Sequence, residues 1–389
     1  MKETVKAAVL ERPGKIDLKE FPMPKLGKGA AIGRMVVSGV CGTDKHSFRG
    51  ECVQYKGTKN EINVPYPIIQ GHENVLIIEE IDPLGAKMLD FVGTILKAGD
   101  RVTMCPDVVC GHCWYCKNMP TYPWCDKLQF SYGNMRSCND GNHLYGGFAE
   151  YIYIEPGTRL YKIPDGLPDS VAVLTEVMAV TYTLDKAKEF NSFSLEGFNF
   201  NDTIVVQGVG PLGLAHIIKA RMMGAGKIIA TDISDYKLEL AKKFGADVAL
   251  NSNRTTSEER IERVYDETQG RGADIVVECV GRPEVVPEGL KMLRKAGMYL
   301  EPGNFVDCGA VPINIHEICS KNLRIIGMSN HAHNSYRACM EMMERSLRWF
   351  PWEQFISHRF PLEKAQLAVE TSMSENSMKV LIVPNGGNN

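Results

Sequence analysis

A closed metal site is indicated by four cysteines that lie in one short segment. Residues 110–116 read Cys-Gly-His-Cys-Trp-Tyr-Cys, and the four cysteines of the segment are Cys110, Cys113, Cys116 and Cys125. Gaps of two residues place successive sulfurs within reach of one tetrahedral zinc ion. Because four thiolates leave no position for water or substrate, we predict a structural site that stabilises a lobe of about residues 105–130. The alternative is a set of free or redox-active cysteines.

Possible ligands of a second, open metal site are spread over the chain. They are Cys41, His72, Glu73 and Glu176. Cysteine, histidine and carboxylate groups all bind zinc, and three protein ligands plus a water make a site that can take part in catalysis. Asp44 is well placed to hold the nitrogen of His72 that does not bind metal. Glu176 is a single acid in an apolar segment, so it needs a partner, either a metal cation or a buried arginine.

A glycine-rich turn predicts a dinucleotide site. The apolar run Thr203–Gln207 is followed by Gly208-Val209-Gly210-Pro211-Leu212-Gly213 and then by a helical segment. In this strand–turn–helix context a pyrophosphate lies at the helix N-terminus, and Gly210 lets the backbone approach it. The alternative is a turn that binds another phosphate, or none.

An acid at the end of the next predicted strand indicates which nucleotide is bound. Asp232 follows the run Lys227–Thr231. A carboxylate at this position accepts hydrogen bonds from the ribose hydroxyls and repels a 2′-phosphate, which favours NAD over NADP. Lys237, one turn into the following helix, is a candidate donor to the same ribose.

The elements that must position these groups fall into two classes. Residues 1–160 contain short apolar runs separated by glycine, proline and polar residues, which indicates strands and loops. From residue 201 onward, strands alternate with helices of about 10–15 residues, which predicts α/β architecture with a parallel, doubly wound sheet. Between them, Ser170–Glu189 is apolar around its whole circumference and is predicted to be one buried helix. A further helix is predicted over Pro283–Lys295.

Length and charge exclude several classes of function. The 389 residues suffice for two or three domains, and 44 Lys and Arg against 47 Asp and Glu give a net charge of −3. This balance offers no basic stripe for nucleic acid and no polybasic membrane anchor. The sequence shows neither a signal peptide nor an apolar run of about 18 residues, so we expect a cytoplasmic protein. In that reducing compartment its twelve cysteines favour metal binding over disulfides.

Together these motifs resemble the zinc-dependent medium-chain dehydrogenases, the superfamily of alcohol, sorbitol and threonine dehydrogenases. The resemblance covers nearly the whole chain. In addition to the residues named above, it rests on Cys41-Gly-Thr-Asp-Lys-His46, Gly71-His-Glu73, Gly99-Asp-Arg-Val102 and Gly147-Phe-Ala-Glu-Tyr151. Glu176 stands where alcohol dehydrogenases carry cysteine, and this resembles the polyol and threonine branch, as does the stretch His358–Glu363.

The resemblance implies a Rossmann domain inserted in a mostly β, GroES-like catalytic domain. The catalytic domain would comprise residues 1–176 and 330–389, and the NAD-binding domain residues 177–329. Family analogy further suggests a homotetramer or a homodimer.

The resemblance also implies a role for each site residue. Cys41 and His72 would bind a catalytic zinc, while Glu73 and Glu176 would alternate as ligands, or one of them would bind through water. Thr43 would take the proton of the alcohol, and His46 would pass it to solvent through the nicotinamide ribose.

The expected cofactors are NAD and two zinc ions per chain, one catalytic and one structural. The expected reaction is hydride transfer between NAD and a secondary alcohol, such as a polyol, sugar alcohol, cyclitol or amino alcohol. The alternative is a non-catalytic, redox-sensing protein that binds NAD and zinc on the same fold. Three stretches look longer than is usual in the family: His46–Gly71 (with Cys52), Asp82–Lys97 and Phe190–Asn201. The resemblance places the first two near the cleft, so the substrate stays open. His331 and His333 are candidates for touching substrate or cofactor, or for a surface loop.

Overall fold

A computed structural model of the chain describes residues 2–51, 54–59, 61–85, 87–120, 124–128, 130–188 and 196–386. Cys52 and part of the stretch Phe190–Asn201 therefore lie outside the described residues. The chain divides into two compact units. The first unit comprises residues 1–176, 332–348 and 356–389, and the second comprises residues 177–331 and 349–355. None of the helices in the described part of the chain has the length and apolar character needed to cross a membrane.

The short apolar runs near the N-terminus form strands, because β-branched residues separated by glycine and proline favour pleated, half-buried segments. The elements up to residue 162 are β1 Thr4–Arg12, β2 Lys15–Pro22, β3 Ala31–Gly39, α1 Gly42–Arg49, β4 Ile68–Ile69, β5 Glu73–Ile81, β6 Arg101–Met104, β7 Asp107–Val108, α2 Trp114–Asn118, β8 Phe130–Ser131, β9 Tyr151–Ile154 and β10 Leu160–Lys162. Strands β2, β1 and β4 form one small sheet, and β7 pairs with β8.

The predicted single helix over Ser170–Glu189 is wrong, because this segment forms three short helices. They are α3 Asp169–Ala172, α4 Thr175–Val180 and α5 Thr183–Lys188. At each break a threonine hydroxyl donates to the carbonyl three residues earlier: Thr175 to Ala172 at 2.6 Å, Thr181 to Met178 at 2.6 Å, and Thr183 to Val180 at 2.7 Å. Such local bonds compete with the helical ladder and interrupt it. The burial that the apolar pattern predicted is present in the segment.

Strands and helices alternate in the second unit as the sequence pattern predicts. The elements are β11 Thr203–Gln207, α6 Pro211–Met222, β12 Lys227–Asp232, α7 Asp235–Lys243, β13 Val248–Asn251, α8 Ser257–Glu267, β14 Ala273–Glu278, a 3-10 turn Pro283–Val285, α9 Val286–Met292, β15 Leu293–Glu301, α10 Ile315–Ser320 and β16 Arg324–Gly327. The six strands are parallel and lie in the order β13-β12-β11-β14-β15-β16. This is the doubly wound order of a Rossmann fold, so the predicted fold class is confirmed.

The helix predicted over Pro283–Lys295 is shorter in the structure. It ends at Met292, and Leu293 already begins the long strand β15. Leu293 pairs with Ala273 of β14, so hydrogen bonding to the sheet replaces the last helical turn.

The end of the chain returns to the first unit and completes its main sheet. The elements are α11 Ser335–Arg345, 3-10 turns Trp352–Phe355 and Leu362–Lys364, β17 Ile356–Pro361, α12 Ala365–Ser372 and β18 Lys379–Val383. The sheet has the order β10-β6-β5-β3-β18-β17, and β9 also pairs with β3. Strand β18 therefore lies beside β3, which lies beside β5, and this order brings a residue from the C-terminal part of the chain next to the site described below.

Candidate metal centres and dinucleotide site

Cys41, His72 and Glu176 come together in the first unit, and one ligand atom of each lies within 4.8 Å of the others. Cys41 is the N-cap residue of α1, His72 directly precedes β5, and Glu176 lies in the first turn of α4. Gly71 has φ +94° and no room for a side chain, since a Cβ would lie 2.7 Å from the hydroxyl of Ser38. A glycine is therefore required for the turn that presents His72.

The surroundings of these three residues disfavour negative charge in the absence of a cation. Burial, and next the charge of Glu73, raise the pKa of the Cys41 thiol to about 12, although the residue as a whole keeps some exposure. Burial and then Cys41 raise the pKa of Glu176 to about 8. Burial alone would lower the pKa of His72, but Asp44 and Glu176 raise it above its ordinary value. A sulfur, a nitrogen and a carboxylate oxygen held this close fit a zinc ion, which would neutralise the two anions.

Glu73 is the one predicted ligand that the structure engages elsewhere. Its side chain is fully buried and ion-paired with Lys379, whose Nζ lies 2.6 Å from Oε1 and 2.5 Å from Oε2. Burial opposes the charge of Lys379, but Glu73 and Cys41 raise its pKa above the ordinary value. Sequence reasoning missed Lys379. The available signal was a single charged residue in the apolar run Met378–Val383, the same signal that singled out Glu176.

Asp44 acts on the backbone rather than on the ring of His72. Its Oδ2 accepts from the backbone N–H of Cys41 at 2.8 Å, and its Oδ1 accepts from the N–H of Gly71 at 3.3 Å. The predicted hydrogen bond to His72 is not formed, because Oδ1 lies 3.9 Å from Nδ1. Burial raises the pKa of Asp44 even though His72 and these N–H groups lower it. Asp44 thus ties together the two chain segments that carry Cys41 and His72.

Thr43 and His46 both lie on α1, close after Cys41 in the chain. The hydroxyl of Thr43 lies 4.0 Å from the sulfur of Cys41, so the structure brings it beside the three candidate ligands. The ring of His46 is about one-quarter exposed, and its Nδ1 lies 3.3 Å from the half-exposed carboxylate of Glu51.

The four clustered cysteines also converge, with their sulfur atoms all within 4.8 Å of one another. Cys113 is the N-cap of α2, and its sulfur accepts from the backbone N–H of Cys116 at 3.5 Å. This N–H lowers the pKa of the Cys113 thiol to about 6, whereas burial raises that of Cys125 to about 12. The four sulfurs lie close enough together to bind one divalent cation, although their thiols differ in how readily they ionise. Cys105 is buried elsewhere, with its sulfur 3.9 Å from the carbonyl of Asp107.

The glycine-rich turn of the second unit has the shape that a pyrophosphate requires. Gly208 has φ +85°, and a Cβ on Gly213 would lie 1.8 Å from the carbonyl oxygen of Gly208, so both positions demand glycine. At Gly210, by contrast, a Cβ would meet nothing within 4 Å, which leaves open space in front of the turn. Gly210 is the N-cap of α6, and Pro211, Leu212 and Gly213 form its first turn, after Val209.

Asp232 lies at the end of β12, next to this turn. Its Oδ2 accepts from the backbone N–H of Val209 at 2.7 Å, and its Oδ1 accepts from that of Ser234 at 2.9 Å. A carboxylate has about four acceptor positions, so these two bonds leave capacity for ribose hydroxyls. Lys237 lies in the first turn of α7, where its backbone N–H donates to Ser234.

The two histidines near residue 330 are buried, which excludes the surface-loop alternative for both. His331 is 2% exposed and His333 is fully buried, and Nη1 of Arg159 lies 2.5 Å from Nε2 of His333. Asp107, also buried, has its pKa raised by burial to about 6 and interacts electrostatically with both His72 and Arg159. Polar groups therefore continue from the three candidate ligands into the interior of the first unit. The sequence motifs did not single out Arg159 or Asp107.

Comparisons with known proteins match both units of the chain. A family model described as an alcohol dehydrogenase GroES-like domain matches residues 27–165, and one described as a zinc-binding dehydrogenase matches residues 211–345. The chain is 30% identical to 5-exo-hydroxycamphor dehydrogenase of Pseudomonas putida, over 94% of both chains, and 28% identical to sorbitol dehydrogenase of Bacillus subtilis, over 98% of both. An alcohol dehydrogenase from Thermotoga maritima superposes with a TM-score of 0.87 at 31% identity, covering 98% of this chain and 100% of that one.

Proposed function

This chain belongs to the zinc-dependent medium-chain dehydrogenase/reductase family, and it is an alcohol dehydrogenase of that family. We propose that it transfers hydride between a secondary alcohol and NAD⁺, giving the ketone, and that the reaction is reversible. The observation that carries this proposal is the convergence of Cys41, His72 and Glu176, three zinc donors of three kinds, at one place in the first unit. A zinc bound there would supply Lewis acidity to the alcohol oxygen, and a bound nicotinamide would take up the hydride.

The proton of the alcohol would leave through residues of α1. The Thr43 hydroxyl lies beside the ligand set, 4.0 Å from the sulfur of Cys41, and is the group that would accept the proton. His46 is partly exposed and can deliver a proton to water, since the unperturbed pKa of histidine lies near 6.5. Glu51, 3.3 Å from Nδ1 of His46, would fix the orientation of that ring.

The nucleotide would be held by the second unit. The N–H groups in the first turn of α6, which begins within the glycine-rich turn Gly208–Gly213, suit a pyrophosphate. The carboxylate of Asp232 suits unmodified ribose hydroxyls and repels a 2′-phosphate, so we propose NAD rather than NADP. Lys237 would donate to the same ribose.

The four-cysteine lobe would hold a second zinc with a purely structural role. Its donor set is Cys110, Cys113, Cys116 and Cys125, which together fill a tetrahedral sphere. We therefore propose two zinc ions per chain, in a homotetramer or homodimer. A reducing, cytoplasmic location would keep these thiols available to metal.

The substrate would be a polyol, sugar alcohol, cyclitol or amino alcohol. Polar groups near the ligand set, among them the buried Asp107 and the half-buried Arg159, support a substrate with more than one polar group. Sorbitol dehydrogenase among the similar proteins supports the same class.

A panel of such alcohols, assayed by NAD⁺ reduction, tests this proposal, with Cys41→Ala as the decisive variant. We expect Cys41→Ala to lower kcat/KM by at least about 10³-fold, because a lost ligand removes the metal, while NADH still binds to the second unit. Cys319→Ala, at an exposed position on α10, is the matched control and should behave as wild type. Turnover that survives Cys41→Ala would contradict the mechanism. A wild-type protein that binds NADH but oxidises no alcohol would instead support the non-catalytic alternative.

A further inference from the structure

We propose that Glu278 and Glu301 form a carboxyl pair that shares one proton and holds the turns after β14 and β15 in the arrangement that binds the dinucleotide. Loss of this proton at alkaline pH would separate the two side chains and weaken binding of the cofactor. Both are positioning residues, because they act through the backbone of the turns and not on the reacting atoms. This inference rests on the proposed function, because it takes a nicotinamide dinucleotide in the second unit as given.

The pair lies at the edge of the parallel sheet where a dinucleotide is expected. Glu278 is the last residue of β14, and Glu301 is the last residue of β15. They follow the registered pair Val277 and Leu300, so they stand side by side on one face of the sheet. In a doubly wound sheet of this strand order, the dinucleotide crosses the carboxyl ends of the strands, with one nucleotide on each half. The half that carries the two glutamates therefore receives the nucleotide that does not reach Asp232.

Each carboxyl group folds back onto the turn that follows its own strand. Oε1 of Glu278 accepts from the backbone N–H of Val280 at 2.6 Å and from that of the following residue at 2.9 Å. Oε1 of Glu301 accepts in the same way from Gly303 at 3.2 Å and from the residue after it at 3.0 Å. The side-chain amide nitrogen of Asn304 links the two groups, since it lies 3.2 Å from Oε2 of Glu278 and 3.2 Å from Oε1 of Glu301. The pair therefore fixes the conformation of both turns.

The two carboxyl groups also hydrogen-bond to each other, and such a bond requires a proton on one of them. Glu278 is fully buried, and a Cβ on Gly303 would lie 1.9 Å from its Oε2, so the second turn closes directly over the first carboxyl group. Burial, and next the charge of Glu301, raise the pKa of Glu278 to about 8. Two ionised carboxylates at this distance repel each other in a buried site, so deprotonation should open the contact between the turns.

The turn that Glu278 holds is in contact with the glycine-rich turn. A Cβ on Gly208 would lie 2.9 Å from the backbone nitrogen of Val280 and 2.8 Å from Cγ2 of its side chain. Val280 is 44% exposed, and an exposed apolar group beside the predicted pyrophosphate site suits contact with a ring of the nucleotide. A shift of this turn would therefore move one wall of the dinucleotide site.

The other titratable groups around the pair do not change charge between pH 7 and 9. Burial, and next the charge of the carboxyl pair, raise the pKa values of Cys279 and Tyr299 well above the ordinary values, although part of the surface of Cys279 is exposed. Burial lowers the pKa of His216, whose Nδ1 lies 3.7 Å from the sulfur of Cys279, to about 4. Glu288 of α9, whose charge acts on Tyr299, is ion-paired with Arg260 at 2.6 Å. A change of binding in this range is thus assigned to the pair.

Titration of NADH binding by fluorescence between pH 7 and 9 tests the inference without reference to turnover. Only molecules that keep the shared proton bind well, so the Kd of the wild-type protein should rise about 10-fold from pH 7 to pH 9. In Glu301→Gln an amide N–H replaces the shared proton in the bond to Glu278 and cannot dissociate. We expect the Kd of this variant at pH 7 to lie within about 2-fold of the wild-type value and to stay constant up to pH 9. The matched control is Glu267→Gln, which removes a partly buried glutamate that is ion-paired with Lys227 at the opposite edge of the sheet, and which should keep the wild-type profile.

Proton uptake by the wild-type protein decides the matter even where Glu301→Gln fails to fold. If binding selects the protonated pair, calorimetry in two buffers of different ionisation enthalpy should show about 0.8 proton taken up per NADH at pH 8.5 and about 0.1 at pH 7. A wild-type pH profile in Glu301→Gln, a constant Kd in Glu267→Gln, or no proton uptake at pH 8.5 would overturn the inference. NADH binding to the wild-type protein at pH 7 is measured first, and its absence would contradict the proposed cofactor itself rather than the role of the pair.

Discussion

The two candidate metal centres of this protein are assembled in opposite ways. The four sulfurs of the cysteine lobe come from residues 110–125, and a helix N-terminus helps to arrange them. The open site takes its donors from α1, from the start of β5 and from α4, and its charge balance depends on a lysine at the start of β18. One centre is therefore formed by a single loop, whereas the other forms only when segments from the whole first unit are folded together.

The pKa values of the cysteine thiols also differ between the two centres. At the lobe, the backbone N–H of Cys116 lowers the pKa of the Cys113 thiol to about 6, although burial raises that of Cys125 to about 12. At the open site, burial raises the pKa of Cys41 to about 12. A local loop can stabilise a thiolate with its own N–H groups, while a buried site must rely on the metal and on distant charges. This difference suits a permanent structural ion in the first case and a reactive, adjustable one in the second.

The largest expected effect is a loss of stability when a ligand of the cysteine lobe is replaced, which replacement of a ligand at the open site should not cause. Replacing Cys113 by Ser should remove the zinc of the lobe and lower the stability by about 3–5 kcal/mol, a decrease in Tm of roughly 10 °C. Cys41→Ala should leave Tm within about 2 °C of the value for wild-type protein that holds zinc in the lobe but not at the open site, because it removes no ligand from the lobe. Calorimetric melting together with zinc analysis of both variants checks the contrast. Equal losses of Tm would show that the lobe contributes no more to the fold than the open site does.

The same contrast explains how much of the molecule the sequence predicts. The cysteine lobe follows from spacing alone, because its four ligands lie in one segment. The glycine turn is equally local, since β11, the turn and α6 are consecutive, and the structure places Gly208 and Gly213 where only glycine fits. Alternation of strands and helices likewise predicts the parallel sheet. Family resemblance, rather than spacing, was needed to group Cys41, His72 and Glu176.

What could not be predicted depends on contacts between distant segments. Glu73 looks like a ligand in the sequence, and only the strand order shows that Gly39 lets it reach Lys379. The breaks in the helix predicted over Ser170–Glu189 come from threonine hydroxyls that donate to nearby carbonyls. Whether such a hydroxyl bonds to a carbonyl or to solvent depends on the packing around it. Apolar periodicity describes which residues are buried, but it does not show where buried charges meet.

The pH dependence of zinc affinity should be steep at the open site. At pH 7 the metal-free protein carries a proton on Cys41, with a pKa of about 12, and on Glu176, with a pKa of about 8. Zinc must displace both, and also the proton that His72 carries below its raised pKa, so its affinity should rise at least about 100-fold per pH unit near pH 7 and fall correspondingly as the pH is lowered. At the lobe, the Cys113 thiol, with a pKa of about 6, is already ionised at pH 7, but Cys125, with a pKa of about 12, must also lose a proton, so the zinc of the lobe has a pH dependence of its own.

Competition titrations with a chelator at pH 6.5, 7.0 and 7.5 measure this slope, on protein that retains the zinc of the lobe. In Glu176→Gln the rise in affinity per pH unit should be about tenfold smaller, because one proton fewer is displaced. An affinity that does not change with pH would show that Cys41 and Glu176 are already ionised in the metal-free protein, contrary to their raised pKa values.

The smallest expected effect concerns Asp44, which supports the open site without being a ligand. Asp44→Asn keeps the shape of the side chain but loses one acceptor for the N–H groups of Cys41 and Gly71, and loses the charge beside His72. We expect zinc affinity at the open site to fall by about 10-fold, as is typical when a group that orients ligands is removed. Asp90→Asn is the matched control, since Asp90 is also buried and accepts from two backbone N–H groups, those of Val92 and Thr94. Both variants should lose some stability, but only Asp44→Asn should weaken zinc binding, and equal zinc affinity in the two would show that Asp44 serves the backbone alone.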